Sequence, residues 1–200
     1  VHNLLLAIEI DEARKDTTGL GIDYINLSEA YYFSKNYQAA QYWAKRAFNT
    51  INTNSDRSEL PYAAETLALA YIELGKLDSA KILVALSAQI AQAQGIDYLI
   101  SRNESHWGRI HLKEGKYDSA RLHFLKAIKL SDNRYISDIR LPSLILLSKA
   151  YLNLGNADAA LSHAKEAYDT SVSIRNKVWT VESCSVLGEI YERKNQAKEA

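Results

Sequence analysis

The chain repeats itself every 40 residues. Aligning SKNYQAA, LGKLDSA, EGKYDSA, LGNADAA and KNQAKEA puts Lys35, Gly75, Gly115, Gly155 and Asn195 in one column, with no insertion or deletion between them. Other columns keep the same step. Ala40, Ala80, Ala120, Ala160 and Ala200 are all alanine; Ser28, Ala68, Gly108, Ser148 and Gly188 are all small. Leu27, Leu67, Trp107, Leu147 and Leu187 are large and apolar, and Tyr31, Tyr71, His111, Tyr151 and Tyr191 all carry rings. A constant period of this length marks an architecture in which each unit buries its apolar face only by stacking on its neighbours.

Within a unit the apolar spacing is helical. Leu67, Ala70, Tyr71 and Leu74 follow i, i+3, i+4, i+7, one stripe of a 3.6-residue period. After the turn, Leu77, Ala80 and Val84 open a second helix that ends near Gly95. The glycine column stands where a first helix would stop in a left-handed residue, with Asn195 the next-best residue there. Lys35 departs from the column, so its neighbour Asn36 is expected to take the strained position. Pro61 and Pro142 fall at the start of a first helix, with Ser58 and Ser137 as expected caps. Each unit is therefore helix A, a tight turn, helix B and a short link. The expected architecture is all-α: one domain over 1–200, a right-handed α-solenoid of about ten helices. A leading helix B spans 2–15, and units lie near 18–55, 56–95, 96–135, 136–175 and 176–200, the last cut short.

The columns resemble the tetratricopeptide repeat (TPR) family. The match is carried by Leu67, Ala68, Tyr71, Gly75, Leu77 and Ala80, and again by Trp107, Gly108, Gly115, Tyr117, Ala120, Phe124 and Ala127. Small and alanine positions let helices A and B approach closely while large neighbours fill the grooves. The departures are a 40-residue period, against 34 for the commonest form, and no proline at the unit ends. HEAT repeats have units of similar length but do not explain the paired small and alanine columns, and a compact bundle does not require equal units. Long units of this kind are similar to the N-terminal TPR regions of bacterial sensor kinases and transcription regulators.

Composition excludes several other readings. Twenty-four basic residues balance 24 acidic ones, so the chain lacks the net basic field of a general nucleic-acid binder. Two prolines and eight glycines supply too few turns for an all-β fold, and one cysteine allows no intrachain disulfide. No apolar run reaches membrane-spanning length. No compartment follows from these counts; the cytoplasm is favoured, with the periplasm open for a segment of a membrane-bound sensor. The chain starts at Val1 without any methionine, opens in an unpaired helix B and stops just inside another, which reads as a piece of a longer array with more chain at both ends. Leu187, Ile190 and Tyr191 would then be exposed on the last helix A.

A search for catalytic chemistry finds none. His106 and His111 diverge on their helix, and no H-E-x-x-H, G-x-S-x-G or phosphate loop occurs. Gly19 and Gly21 lack the rest of a dinucleotide loop. His111 reads as a packed ring and Cys184 as a small buried side chain. The expectation is a non-enzyme with no cofactor and no metal.

What a solenoid offers is a concave surface lined by its A helices. The resemblance to TPR proteins puts Ile22, Ile25, Glu29, Tyr32 and Phe33 in that groove in unit one. It adds Tyr62, Glu65, Leu69, Ile72 and Glu73 from unit two, and Arg102, Ser105, His106, Arg109, Leu112 and Lys113 from unit three. Ile145, Lys149 and Asn153 follow in unit four, then Glu182, Ser185, Glu189 and Arg193 in unit five. The lysine–asparagine clamp of chaperone-tail binders is absent. Arg102, His106, Arg109 and Lys113 step by 4, 3 and 4, so they share one helix face, joined by Lys149 and flanked by acidic units. That pattern suits an acidic peptide, a C-terminal carboxylate or an anionic small ligand, with Tyr32, Phe33 and Tyr62 as an aromatic end. The expected function is a protein or peptide interaction module in a larger bacterial regulator. The alternative is a ligand- or signal-peptide-sensing module that controls a kinase or DNA-binding output domain.

Overall fold

The computed structural model describes residues 1–131 and 135–199, leaving aside the side chains of 196–199. Among the described residues there are ten α-helices and no strand. They fall into two compact units, 1–99 and 100–200. The first holds α1 (His2–Arg14), α2 (Thr17–Phe33), α3 (Tyr37–Thr53), α4 (Leu60–Glu73) and α5 (Leu77–Gln94). The second holds nearly all of α6 (Asp97–Lys113), then α7 (Tyr117–Leu130), α8 (Leu141–Asn153), α9 (Ala157–Ser173) and α10 (Lys177–Glu199). A single π-helical turn, Ile136–Arg140, leads into α8 and buries Ile139.

The turn between helices A and B is the same device in four units. Lys76 N–H donates to the Tyr71 carbonyl at 2.9 Å and Gly75 N–H to that of Ile72 at 3.2 Å, closing the end of α4. The same pair of bonds ends α2, α6 and α8, each closing on the ring-column carbonyl. Gly75, Gly115 and Gly155 have φ of 72°, 72° and 77° with nothing near a would-be Cβ. Backbone sign, and not space, asks for glycine there. In the first hairpin Lys35 itself takes φ 62°, contrary to the expectation for Asn36, which instead caps α3 by accepting from Ala39 N–H. A non-glycine residue in that region costs about 1–2 kcal/mol. Lys35→Gly should therefore raise the urea midpoint, by about 1 kcal/mol of stability; an unchanged midpoint would mean that the Lys35 side chain compensates.

Packing follows the columns. Ala40, Ala80, Ala120 and Ala160 are completely buried, as are Ser28, Ala68 and Ser148 to within a per cent. Gly108 shows why: a Cβ there would stand 2.6 Å from the Phe124 ring of α7. The first core joins Tyr24, Leu27, Ala47, Ile51, Leu60 and Ala63. The second joins Leu141, Leu144, Ile145, Ala160, Ala164, Ala167, Val186 and Ile190.

Several local expectations are corrected. Pro61 and Pro142 do sit in the first turns of α4 and α8, but Ser58 and Ser137 cap neither helix. Ser58 N–H closes a turn on Asp56 Oδ1, and Ser137 lies inside the π-helical turn. Helix α10 runs through Asn195 without a turn. Asparagine enters the left-handed region less readily than glycine. Ile190 is buried and Leu187 half-buried against the α8–α9 core, while Tyr191 is exposed. Cys184 is exposed, not buried as expected.

Candidate interaction groove

In the first unit, Tyr32 and Phe33 stand together at the end of α2, and Tyr62 lies at the start of α4. Tyr32 meets Phe33 edge-on at 5.7 Å and tilts against Tyr37 at 5.5 Å. Its hydroxyl reaches Glu73 Oε1 of α4 at 3.5 Å, which fixes the ring between two A helices. Phe33 remains 69% exposed. Tyr62 is half-buried against the first core and so is part wall, part surface. Glu65 and Leu69, expected on the groove, are buried; Glu29 and Glu73 are half-exposed.

In the second unit, α6 carries the basic row. Arg102 and Arg109 are half-buried, Lys113 is exposed and Lys149 of α8 is half-buried. His106 is buried, so it contributes to the floor and not to the rim. Ser105 is buried beside it, accepting from Ser143 Oγ of α8 at 3.0 Å. This bond ties α6 to α8. Arg102, His106, Arg109 and Lys113 all have interaction partners within the protein. Glu182 and Glu189 on α10 are half-exposed, and Glu189 accepts from Arg193 at 2.9 Å.

A second polar cluster lies where α6 meets α7. Trp107, His111 and His123 stack, with the two imidazoles 5.2 Å apart and 25° from parallel. His123 Nδ1 lies 2.8 Å from Glu104 Oε2, and Lys126 Nζ donates to the other oxygen at 2.6 Å. Burial pushes the Glu104 carboxyl up, but the bonds from His123 and Lys126 outweigh it and leave it below the usual range. Burial pushes His111 down, and neighbouring His123 adds to that against the pull of Glu114. No group of three ligating side chains suited to a metal occurs among the described residues. The cluster repeats in altered form: Tyr151 stacks on His163 at 5.4 Å, and Arg46 lies over Tyr24 and Trp43. A histidine or tryptophan three residues after the alanine column in three units is the signal in the sequence that marks it.

The His111 shift has a testable sign. The folded protein takes up the His111 proton less readily than the unfolded chain, whose imidazole titrates near 6.5. Stability is therefore lost as pH falls through that value, and the loss levels off once pH is below the folded one. Glu104 acts only in more acid solution, since its contribution is lost below the usual 4.5. His111→Tyr, which restores the residue of the other four units, should shrink the gap between urea midpoints at about pH 7.5 and about pH 5.5. An unchanged gap would assign the acid sensitivity elsewhere.

Hairpins of fixed length, a left-handed C′ residue and close-packed small columns define an α-solenoid of TPR-like repeats. Comparison agrees: residues 107–134 match the family model of the tetratricopeptide repeat. No curated protein matches the chain significantly by sequence. Among solved structures, the apo form of RapI superposes with a TM-score of 0.70 at 13% identity, over 99% of this chain and 84% of its own. BtubC from P. vanneervenii gives 0.64 at 15%, over 97% and 82%. A single-residue variant of a P. anserina protein described as a kinesin light chain, with nearly identical TPR-like repeats, gives 0.62 at 17%, over 88% and 87%. At these identities the likeness is one of fold.

Proposed function

We propose that the chain is a non-catalytic interaction module that holds an acidic peptide or a C-terminal carboxylate along its A helices. The observation that carries this reading is the row Arg102, Arg109 and Lys113 on one face of α6, with Lys149 on α8. Two guanidinium groups held at fixed spacing suit bidentate, charge-assisted bonds to carboxylates. The matched repeat family supports a protein partner, and no described helix is long and apolar enough to cross a membrane. The larger context in this reading is the sensory or interaction region of a bacterial regulator.

The test is a panel of immobilised peptides, acidic and neutral, each with a free or an amidated C-terminus. Arg102→Gln with Arg109→Gln keeps part of each apolar stem and an amide that still hydrogen-bonds, but removes both charges. Capture of acidic peptides should fall at least about tenfold, given roughly 1.5–3 kcal/mol for each charged hydrogen bond. Binding by the unaltered chain should also weaken steeply with salt. Equal capture by the double variant would overturn the role of the row and move the site to Tyr32, Phe33 and Tyr62.

A further inference from the structure

We propose that His111 and His123 form an acid-operated latch between α6 and α7, closed while the pair carries no more than one proton and loosened when both imidazoles are protonated. The latch stands apart from the groove. Glu104, Trp107 and His111 step by 3 and 4 along α6, about half a helical turn from the face that carries Arg102, His106, Arg109 and Lys113. In the other hairpins the corresponding pairs are Tyr31 and Trp43, Tyr71 and Leu83, and Tyr151 and His163. Among the described hairpins, then, this one alone sets two imidazoles against each other.

The carboxylates beside the pair are already matched. Lys126 Nζ donates to Glu104 at 2.6 Å, and Lys116 Nζ lies 3.0 Å from Glu114 Oε2. His123 Nδ1 reaches Glu104 at 2.8 Å and His111 Nδ1 reaches Glu114 at 3.3 Å, contacts that neutral imidazoles make with their proton on Nδ1. Two glutamates cancel two lysines, so the cluster is neutral with neutral rings and gains a full positive charge with each proton. The next charges along α7 cancel as well, since Arg121 pairs with Asp118 at 3.4 Å while lying over the Tyr151 ring of α8. At His111 burial opposes a proton most, followed by His123, and Lys116 adds to both against the pull of Glu114.

The cost of the second proton falls on one helix contact. The side chains of His111 and His123 are only 20% and 32% exposed, so two imidazolium rings with centroids 5.2 Å apart repel with little screening. His111 belongs to α6; His123 belongs to α7 and precedes Phe124, whose ring packs at Gly108 of α6. Forcing the rings apart therefore works directly against the close approach of the two helices. The α8–α9 hairpin supplies an internal comparison. There His163 stacks at 5.4 Å on the phenol of Tyr151, not on a second imidazole, and Arg140 holds Glu166 at 2.6 Å.

Hydrogen exchange of the whole chain tests the latch, with rates expressed as protection factors so that the intrinsic pH dependence of exchange cancels. The open hairpin takes up one proton more than the closed one below the ordinary imidazole value of 6.5, so acid favours opening. Between about pH 7.5 and about pH 5.5, amides of α7 should lose up to about tenfold in protection, while those of α9 keep theirs. His111→Tyr and His123→Leu install residues found in the same columns of other units, and each should hold α7 at its neutral-pH protection. Because His106 remains in both, they also separate its titration from that of the latch. Lys116→Gln with Lys126→Gln keeps both imidazoles but frees the two carboxylates to neutralise them, and should shrink the loss. Circular dichroism at about pH 7.5 checks that each variant folds, and any one folded variant suffices. Constant protection of α7, an equal loss in α9, or an undiminished loss in a folded variant would each overturn the proposal.

Discussion

Phe124→Ala should destabilise the second unit by about 3–5 kcal/mol, the usual cost of emptying a fully buried phenyl site. The ring lies over Gly108 of α6 and in a core with Ala120, Leu147 and Ala150, so its loss opens space shared by three helices. Gly108→Ala should also destabilise, by about 1–3 kcal/mol, because its methyl would land 2.6 Å from two ring atoms. Ordinarily the same change in a helix gains up to about 1 kcal/mol of propensity, so the sign itself reports the contact. The two changes should not add. With the ring gone, the Gly108→Ala methyl enters the vacated space and the propensity gain reappears. A double-mutant cycle in urea should show coupling within about 0.5–3 kcal/mol. Additive effects would mean that α6 and α7 move apart after either change, so that the glycine is no close-contact device.

Gly108 and Phe124 also show why the fold could be read from the sequence. Each hairpin buries the same columns against the same columns, so the constraint is printed several times over and survives the loss of any one residue. Gly75, Gly115 and Gly155 announce the turn because only their backbone sign matters, which is a local property. Readings that depended on what lies opposite a residue failed. Cys184 shares a column with buried Leu144 but is itself exposed. Asn195 shares a column with three turn glycines, yet α10 continues through it. The same division applies to the groove. The spacing of Arg102, Arg109 and Lys113 puts them on one face of α6 whatever surrounds them. The burial of His106 and Glu65 depends on neighbouring helices and is not written in the spacing. The stacked Trp107, His111 and His123 went unread because His123 comes from the facing helix, where no motif links it to the other two.

Ala120→Leu should cost on the order of 1–3 kcal/mol, and its damage should stay local. Ala120 is completely buried at the start of α7, in one core with Phe124 of its own helix and Leu147 and Ala150 of α8. Three added carbons have no cavity to enter, so α7 must shift or the side chain must leave its rotamer well. In a single globular core such a shift spreads through every layer. In a repeat array each unit touches only its neighbours, and stability is close to a sum of unit and interface terms. Hydrogen exchange separates the two cases. Amides of α6, α7 and α8 should lose protection, while those of α2 and α3, which belong to the other compact unit, keep theirs. Equal loss from α2 to α10 would show that the chain unfolds as one body, and that its 40-residue period governs how it is built without governing how it comes apart.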